Sequence, residues 1–468
     1  MTATLWFHGA TREVTGSMHL VQNNGHTVAL DCGLFQGRRK EANAKNRSFP
    51  CDPAAINAVV LSHAHIDHCG KLPRLVKEGF GGPIYATPAT CDLVRLLLAD
   101  SAYIQEEDAE YWNRKRVKRG DAPIEPLYTQ QEVEETIGLL DPRQLGEAFD
   151  AGGDMRVTLH EAGHMLGSAG VLVEVADGKR PPVRVVFTGD LGRLNLAILR
   201  DPAPLPACDF LVCESTYGGR ETPNNEHMSE QLAAIINETV DRGGKLIVPA
   251  FAVGRTQVIV YHARQLAYER RIVEHLPIIV DSPLAIRATE VFRQHPEVYD
   301  VEAAAFRRVT GDLFKCADCE YTRSVEQSKA LHGRKEPMII LSASGMCEAG
   351  RILHHLKNNI QDPRNTILIV GYQAMHTLGR RLVEKRKQVK IFGEMYDVKA
   401  RVKSLKGFSA HADAGELARW TAPLADTTRR VFLVHGEMDQ SDALAATMRE
   451  RGFADVVIPE SGQTFALR

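Results

Sequence analysis

The amino-acid sequence predicts an α/β protein built on parallel sheets and divided into more than one domain. Short β-branched apolar runs close again and again on a polar residue and glycine, as buried strands do. Between residues 230 and 390 each such run is followed by a helical pattern, the rhythm of a parallel sheet covered by helices. At 468 residues the chain also exceeds one ordinary core, which suggests about two to four domains.

In chain order, "HTVALDCG" reads as a strand ending at Asp31. "INAVVLSHAHIDH" reads as a strand running into a polar cluster, with "KLPRLVKEG" as the helix after it. The charge-rich stretch 100–140 is helical, and its basic run "NRKRVKRGD" reads as a solvated helix face or loop. "VRVVFTGDLGR" closes at Asp190 and "DFLVCESTYGGR" at Glu214. Four βα units follow: "KLIVPAFAVGRTQVIVYHARQLAYER", "LPIIVDSPLAIRATEVFRQHP", "PMIILSASGMCEAGRILHHLKN" and "TILIVGYQAMHTLGRRLVEK".

Composition sets the broad class. Hydrophobic residues at 44% and charged residues at 25% are those of a globular chain, not a disordered or fibrous one. A net charge of −2 announces no nucleic-acid partner by bulk charge, although a local groove could be basic. No signal peptide and no membrane-length apolar run is evident, so the expected location is cytoplasmic, without membrane contact. Nine dispersed cysteines read as reduced thiols. Cys316 and Cys319 in "KCADC" have the spacing of half a zinc knuckle but lack the other half, so they read as structural.

The densest chemistry lies in "SHAHIDH", where His63, His65, Asp67 and His68 crowd together after an apolar run. On a helix, residues two apart point about 200° from each other and could not share an ion. In an extended loop His63 and His65 can grip one metal, while Asp67 and His68 reach a second. His164 in "EAGHMLGSAG", Asp190 and His435 in "VFLVHGEMD" stand at similar places after apolar runs. Singly they read as a loop histidine, a turn former and a buried histidine. Together they supply a bridging carboxylate and the remaining imidazoles for two metals. Imidazole with carboxylate favours zinc, ahead of iron or manganese. His435 must then reach a site built from residues 63 to 190 across the whole βα series, which makes the first domain discontinuous.

These motifs resemble those of the metallo-β-lactamase superfamily. "CESTYGG", "GFSAHAD" and "LVHGE" resemble the three further motifs of its β-CASP branch of nucleases, as do "SASGMCEAGRILHHLK" and "GYQAMHTLGRRL". Within that branch they are most similar to the endonucleases of pre-mRNA 3′-end cleavage and their prokaryotic relatives. The resemblance implies an αββα sandwich at 1–208, an inserted parallel α/β domain at 209–392, and completion of the sandwich at 393–468. It implies two Zn2+: one on His63, His65, His164 and Asp190, the other on Asp67, His68, Asp190 and His435. Asp31 would orient a ligand from behind.

The implied reaction is hydrolysis of RNA phosphodiester bonds by a hydroxide activated between two metals, with endonucleolytic cutting expected ahead of 5′-to-3′ trimming. Asp67, Glu214 and His411 would be catalytic. His411 would protonate the leaving oxygen and Glu214 would hold it. Ser344, Gly345, Arg351 and Arg380 are candidate phosphate contacts. Histidine at 435, where DNA-processing members of the branch generally carry valine, favours single-stranded RNA as the partner. A homodimer is among the expected assemblies. His376 departs from the family pattern, which generally has glycine there. The competing readings are a small-molecule hydrolase, a DNA nuclease and a non-catalytic RNA-binding scaffold. Only the nuclease readings account for Glu214 and His411.

Overall fold

The structure, a computed structural model, describes residues 3–178, 180–222, 227–371 and 373–468. It divides into two compact units. The first comprises Met1–Leu194, Asp201–Glu221 and Ala410–Arg468, and the second Asn195–Arg200 and Thr222–Ser409.

Two seven-stranded sheets build the first unit. In one, Thr464–Ala466, Thr4–Phe7, His19–Asn23 and His26–Leu30 pair antiparallel, and Ala58–Val60, Ile84–Ala86 and Leu140–Pro142 continue it in parallel. In the other, Arg180–Phe187 pairs in parallel with Phe210–Glu214, and that strand with Arg430–Val434. The two-residue side-chain period of a strand explains how the sheets stack. Val171, Val173, Val185, Phe187, Val212, Phe432 and Val434 point into a shared core with Leu5, Phe7, Val28, Leu30 and Val60 of the first sheet. The residues between them, Leu172, Val186, Leu211, Val431 and Leu433, pack on the opposite face against Leu417, Leu444 and Met448 of helices Ala414–Thr421 and Met438–Glu450. The sandwich expected from the sequence is present.

The second unit carries a six-stranded parallel sheet in the order Cys319–Tyr321, Ile278–Val280, Ile339–Ser342, Leu246–Pro249, Thr366–Val370, Arg401–Leu405. All four anticipated βα units are there. Their helices are Arg255–Tyr268, Pro283–Gln294, Ile352–Asn359 and Leu378–Val383. The limits of the insertion differ from those expected at 209 and 392. Phe210–Glu214 is hydrogen-bonded between two strands of the first unit, and Arg401–Leu405 is the edge strand of the second. The insertion therefore runs from 222 to 409, joined by the short segment 195–200. Sheet pairing between segments far apart in the sequence sets the limits of the two units.

The reduced-thiol expectation is also corrected in one place. Cys316 and Cys319 form a disulfide across Cα atoms 5.1 Å apart, within bridging distance. The other seven cysteines are free.

A buried carboxylate organises the second unit. Asp281, directly after Ile278–Val280, accepts hydrogen bonds from Thr322 Oγ1 (2.5 Å), Ser328 Oγ (2.6 Å), His355 Nε2 (2.6 Å) and Arg351 Nη1 (2.6 Å). Burial alone would raise its pKa, but these donors hold the carboxyl well below the usual range. Removing it strands the buried His355 and the half-buried Arg351, so Asp281→Ala should destabilise the second unit by about 3–5 kcal/mol in urea unfolding. The sign with pH follows from a depressed folded-state pKa. The stabilisation is fully present above the unfolded carboxyl value of about 3.9 and is lost as pH falls below it. Asp281→Asn should flatten that acid limb; an unchanged limb would show that other carboxylates carry it.

Candidate metal centre

Six residues of the centre stand at or just beyond the C-terminal end of a strand of the first unit. Asp31 follows His26–Leu30, His63 follows Ala58–Val60, and His164 lies in the loop after Met155–Glu161. Asp190 follows Arg180–Phe187, Glu214 ends Phe210–Glu214, and His435 follows Arg430–Val434. Sheets fix these ends rigidly while leaving side chains free to converge. Two of the residues hold backbone conformations rare outside glycine: Asp31 has φ 63° and His435 φ 52°. His435 N–H donates to the Ala10 carbonyl at 2.6 Å, which helps hold that strained turn.

Two donor sets form. In the first, His63 Nε2 lies 3.1 Å from His65 Nδ1, and His164 Nε2 lies 3.3 Å from the same atom. Asp190 Oδ2 completes it, 3.4 Å from His63 Nε2 and 3.5 Å from His164 Nε2. In the second, His68 Nε2 and His435 Nε2 are 3.0 Å apart, Asp190 Oδ1 is 3.4 Å from His68 Nε2, and Asp67 Oδ2 is 3.7 Å from His435 Nε2. A tetrahedral ion with bonds of about 2.0–2.1 Å separates its ligands by about 3.3 Å, the spacing found here. Asp67 and His68 sit on a short helical turn, Ile66–Cys69, rather than on the extended loop that the sequence suggested. The His68 ring still packs 4.0 Å from that of His63, while its Nε2 meets His435 Nε2.

The environment favours cations. Burial, followed by neighbouring imidazoles, pushes His63 and His164 well below their ordinary pKa, so both are neutral with lone pairs available. Burial opposes charge on His68 too, yet Asp190 and Asp31 pull it up to about 10, a demand for positive charge. Asp190 Oδ1 and His164 Nδ1 are buried without any hydrogen-bond partner. An orphaned carboxylate oxygen facing imidazole lone pairs is a poor hydrogen-bond network and a good ligand set. The residues therefore fit a metal site with divalent cations.

A second layer orients the ligands. Asp31 Oδ2 accepts from His68 Nδ1 at 2.7 Å and from Ser17 and Ser62 hydroxyls at 3.1 and 2.9 Å, while Oδ1 takes the Ser62 N–H at 2.8 Å. This puts the His68 proton on Nδ1 and leaves Nε2 turned inward. Ser62 Oγ also meets His63 Nδ1 at 3.0 Å, and Thr216 Oγ1 meets His435 Nδ1 at 3.1 Å. Sequence reasoning missed Ser17, Ser62 and Thr216. Ser62 and Thr216 lie inside quoted motifs and could have been suspected, whereas nothing local marks Ser17.

Glu214 and His411 meet beside the first set. His411 Nδ1 lies 3.2 Å from Glu214 Oε2, and Glu214 Oε1 accepts the Leu191 N–H at 2.6 Å. Burial works against a charged His411, but Glu214 and Asp190 raise it to about 9. Its loop is fastened to the loop after Asp190. Ala412 N–H donates to the Leu191 carbonyl at 2.8 Å, and the nearly buried Arg193 guanidinium pairs with Glu416 at 3.1 Å.

The four phosphate-contact candidates belong to the second unit. Arg351 is committed to Asp281 and to the Thr322 carbonyl. Arg380 pairs with Glu384 at 2.9 Å on an exposed helix face. Ser344 Oγ accepts from the Glu348 and Ala349 N–H groups of its own turn, and the Gly345 carbonyl accepts from Gln373. The helix that follows Ser344 and Gly345 begins only at Ile352. His376 has φ 70°, the left-handed conformation that glycine adopts freely and histidine only under strain.

Comparison with known proteins agrees with this geometry. Residues 11–236 match the family model "Metallo-beta-lactamase superfamily", 256–382 the "Beta-Casp domain", and 395–459 the "Zn-dependent metallo-hydrolase RNA specificity domain". The chain is 37% identical to Ribonuclease TTHA0252 of Thermus thermophilus over 95% of both proteins. It is 30% identical to the Transcription termination factor FttA of Pyrococcus horikoshii, over 98% of this chain and 70% of that protein. In fold it resembles a protein of unknown function from Enterococcus faecalis V583, with TM-score 0.58 and 15% identity over the full length of both. The chain belongs to the metallo-β-lactamase superfamily, in its β-CASP branch.

Proposed function

We propose that the protein is a zinc-dependent ribonuclease that cuts single-stranded RNA internally at phosphodiester bonds. The observation that carries this reading is the pair of donor sets with Asp190 facing both, and the half-buried His411 held by the buried Glu214 beside them. A small-molecule hydrolase would use the donor sets but has no need of a held imidazole acid. The RNA assignment draws on the names of the relatives, a ribonuclease and a transcription termination factor, and on histidine at position 435.

In this reading His63, His65, His164 and Asp190 hold one Zn2+, and Asp67, His68, His435 and Asp190 hold the other. Bound there, the cations supply Lewis acidity toward the phosphoryl oxygens and the attacking water. The side chains supply the rest. Asp190 sets the spacing of the two sets by turning one oxygen to each. Asp31 keeps the His68 tautomer fixed. Glu214 receives His411 Nδ1, which leaves Nε2–H as the proton donor for the departing ribose oxygen. Arg193 and Glu416 position the His411 loop. No described helix is long and apolar enough to cross a membrane. We assign the work to the cytoplasm, and include a homodimer as the assembly to be checked by light scattering.

Three outcomes are expected. Elemental analysis should find about two zinc ions per wild-type chain, and the zinc-loaded protein should cut a labelled RNA at internal positions; absence of cleavage at full zinc occupancy would overturn the reading. His411→Ala should lose about 10²–10⁴-fold in turnover while keeping both metals. Loss of metal instead would make His411 a ligand. Asp31→Ala should weaken metal affinity about 10–100-fold, read by chelator competition, with cleavage restored at high zinc.

A further inference from the structure

The 30-residue helix Pro88–Val117 begins against the loop that carries His164. Its N-cap Thr87 and its first-turn Thr90 both donate hydroxyl hydrogen bonds to the Gly167 carbonyl, in the loop that carries His164. Its buried residues stop at Ala109, so the last two turns add nothing to the core. Those turns are nevertheless held firmly. Asn113 exchanges two hydrogen bonds with the Ile124 backbone, and Arg116 Nε donates to the Ala122 carbonyl at 2.6 Å.

What this extension displays is unusual for the chain. Tyr111 and Trp112, 47% and 37% exposed, are the one sequence-adjacent pair of exposed aromatic side chains among the described residues. Their rings lie 5.6 Å apart, with Lys115 Nζ over both at 4.1 and 5.3 Å. Residues 111–119, "YWNRKRVKR", carry five cations and no acid in a protein of net charge −2. Arg114, Lys115, Lys118 and Arg119 are exposed. The preceding turn, "EEDAE" at 106–110, is acidic and confines any anionic ligand to the tip.

We propose that this tip is a docking site for single-stranded RNA, an exosite that holds substrate at a distance from the metal centre. The inference rests on the ribonuclease reading above. Stacking faces beside exposed cations match bases joined by phosphates, and both contacts are indifferent to sequence. At about 1.5 Å per residue the helix places Tyr111 about 30 Å along its axis from Thr90. A strand that keeps its bases stacked, rising about 3.4 Å per nucleotide as in a duplex, needs about nine nucleotides for that length. A long RNA therefore reaches both places and a stacked RNA of about 8 nucleotides does not.

The test compares wild type with a Lys115→Ala/Lys118→Ala/Arg119→Ala triple variant and with Tyr111→Ala, on RNAs of about 8 and about 30 nucleotides. The altered side chains are exposed, so folding should be preserved, as circular dichroism will check. The triple variant should cut the long RNA with kcat/KM about tenfold lower and leave the short RNA as wild type cuts it. Its binding should also lose about two units of salt slope, at roughly 0.7 per phosphate contact. Equal behaviour on both lengths would overturn the exosite. A wild type that cuts neither RNA defeats the ribonuclease reading alone. Fluorescence anisotropy of the 30-nucleotide RNA then decides the exosite, and equal affinity of variant and wild type overturns it. Polyglutamate competing as well as polyuridylate would make the tip an acidic-protein site and overturn the RNA assignment.

Discussion

Asp190 is the constraint on which the first unit depends. Its two oxygens face two separate sets of nitrogen donors, and Oδ1 makes no hydrogen bond although it is buried. An ionised carboxylate left so exposed to low dielectric is tolerable only among positive charges. The surrounding histidines supply part of that compensation and hold it well below the usual carboxylate range. The rest of the architecture brings ligands to this one side chain. Strands from two sheets end around it, and the loops bearing His164, His411 and His435 are tied down by backbone hydrogen bonds rather than left to find it. Stability and ligand geometry therefore pull on the same residue, and the strained φ values of Asp31 and His435 lie where that tension would be expected.

The second unit follows the same logic without a metal. Asp281 is again a buried carboxylate at the end of a parallel strand, but it is met by hydroxyls, an imidazole and a guanidinium. Donors that already carry protons satisfy a carboxylate completely. Lone-pair donors, as around Asp190, leave it in need of a cation. The contrast between these two aspartates, both in strand-then-loop settings, separates a structural hub from a ligand more clearly than burial does.

Much of this was legible in the sequence because strand ends announce themselves locally. Apolar runs closed by Asp31, His63, Asp190, Glu214 and His435 could be read directly, and the βα rhythm of the second unit likewise. What escaped depends on contacts between distant segments. Ser17 reaches Asp31 through the pairing of strands His19–Asn23 and His26–Leu30. Arg351 looked like a phosphate contact because a glycine-rich turn precedes it, and only the fold puts Asp281 within its reach. The limits of the two units follow inter-strand hydrogen bonds between distant segments, which a resemblance carried by local motifs does not fix. The Cys316–Cys319 bridge sits on a spacing that serves a disulfide as well as half a metal knuckle.

The interleaving of the two units bears on how the protein comes into being. Strand Arg430–Val434 pairs with Phe210–Glu214, yet the whole second unit is translated between them. The second unit can fold as it emerges, whereas the sandwich must wait for a partner strand more than 200 positions downstream, a long-range closure that delays folding. His435 arrives with that strand. A nascent chain still attached to its own message therefore holds an incomplete ligand set, and the cutting chemistry proposed for it is deferred until synthesis has passed the last donor.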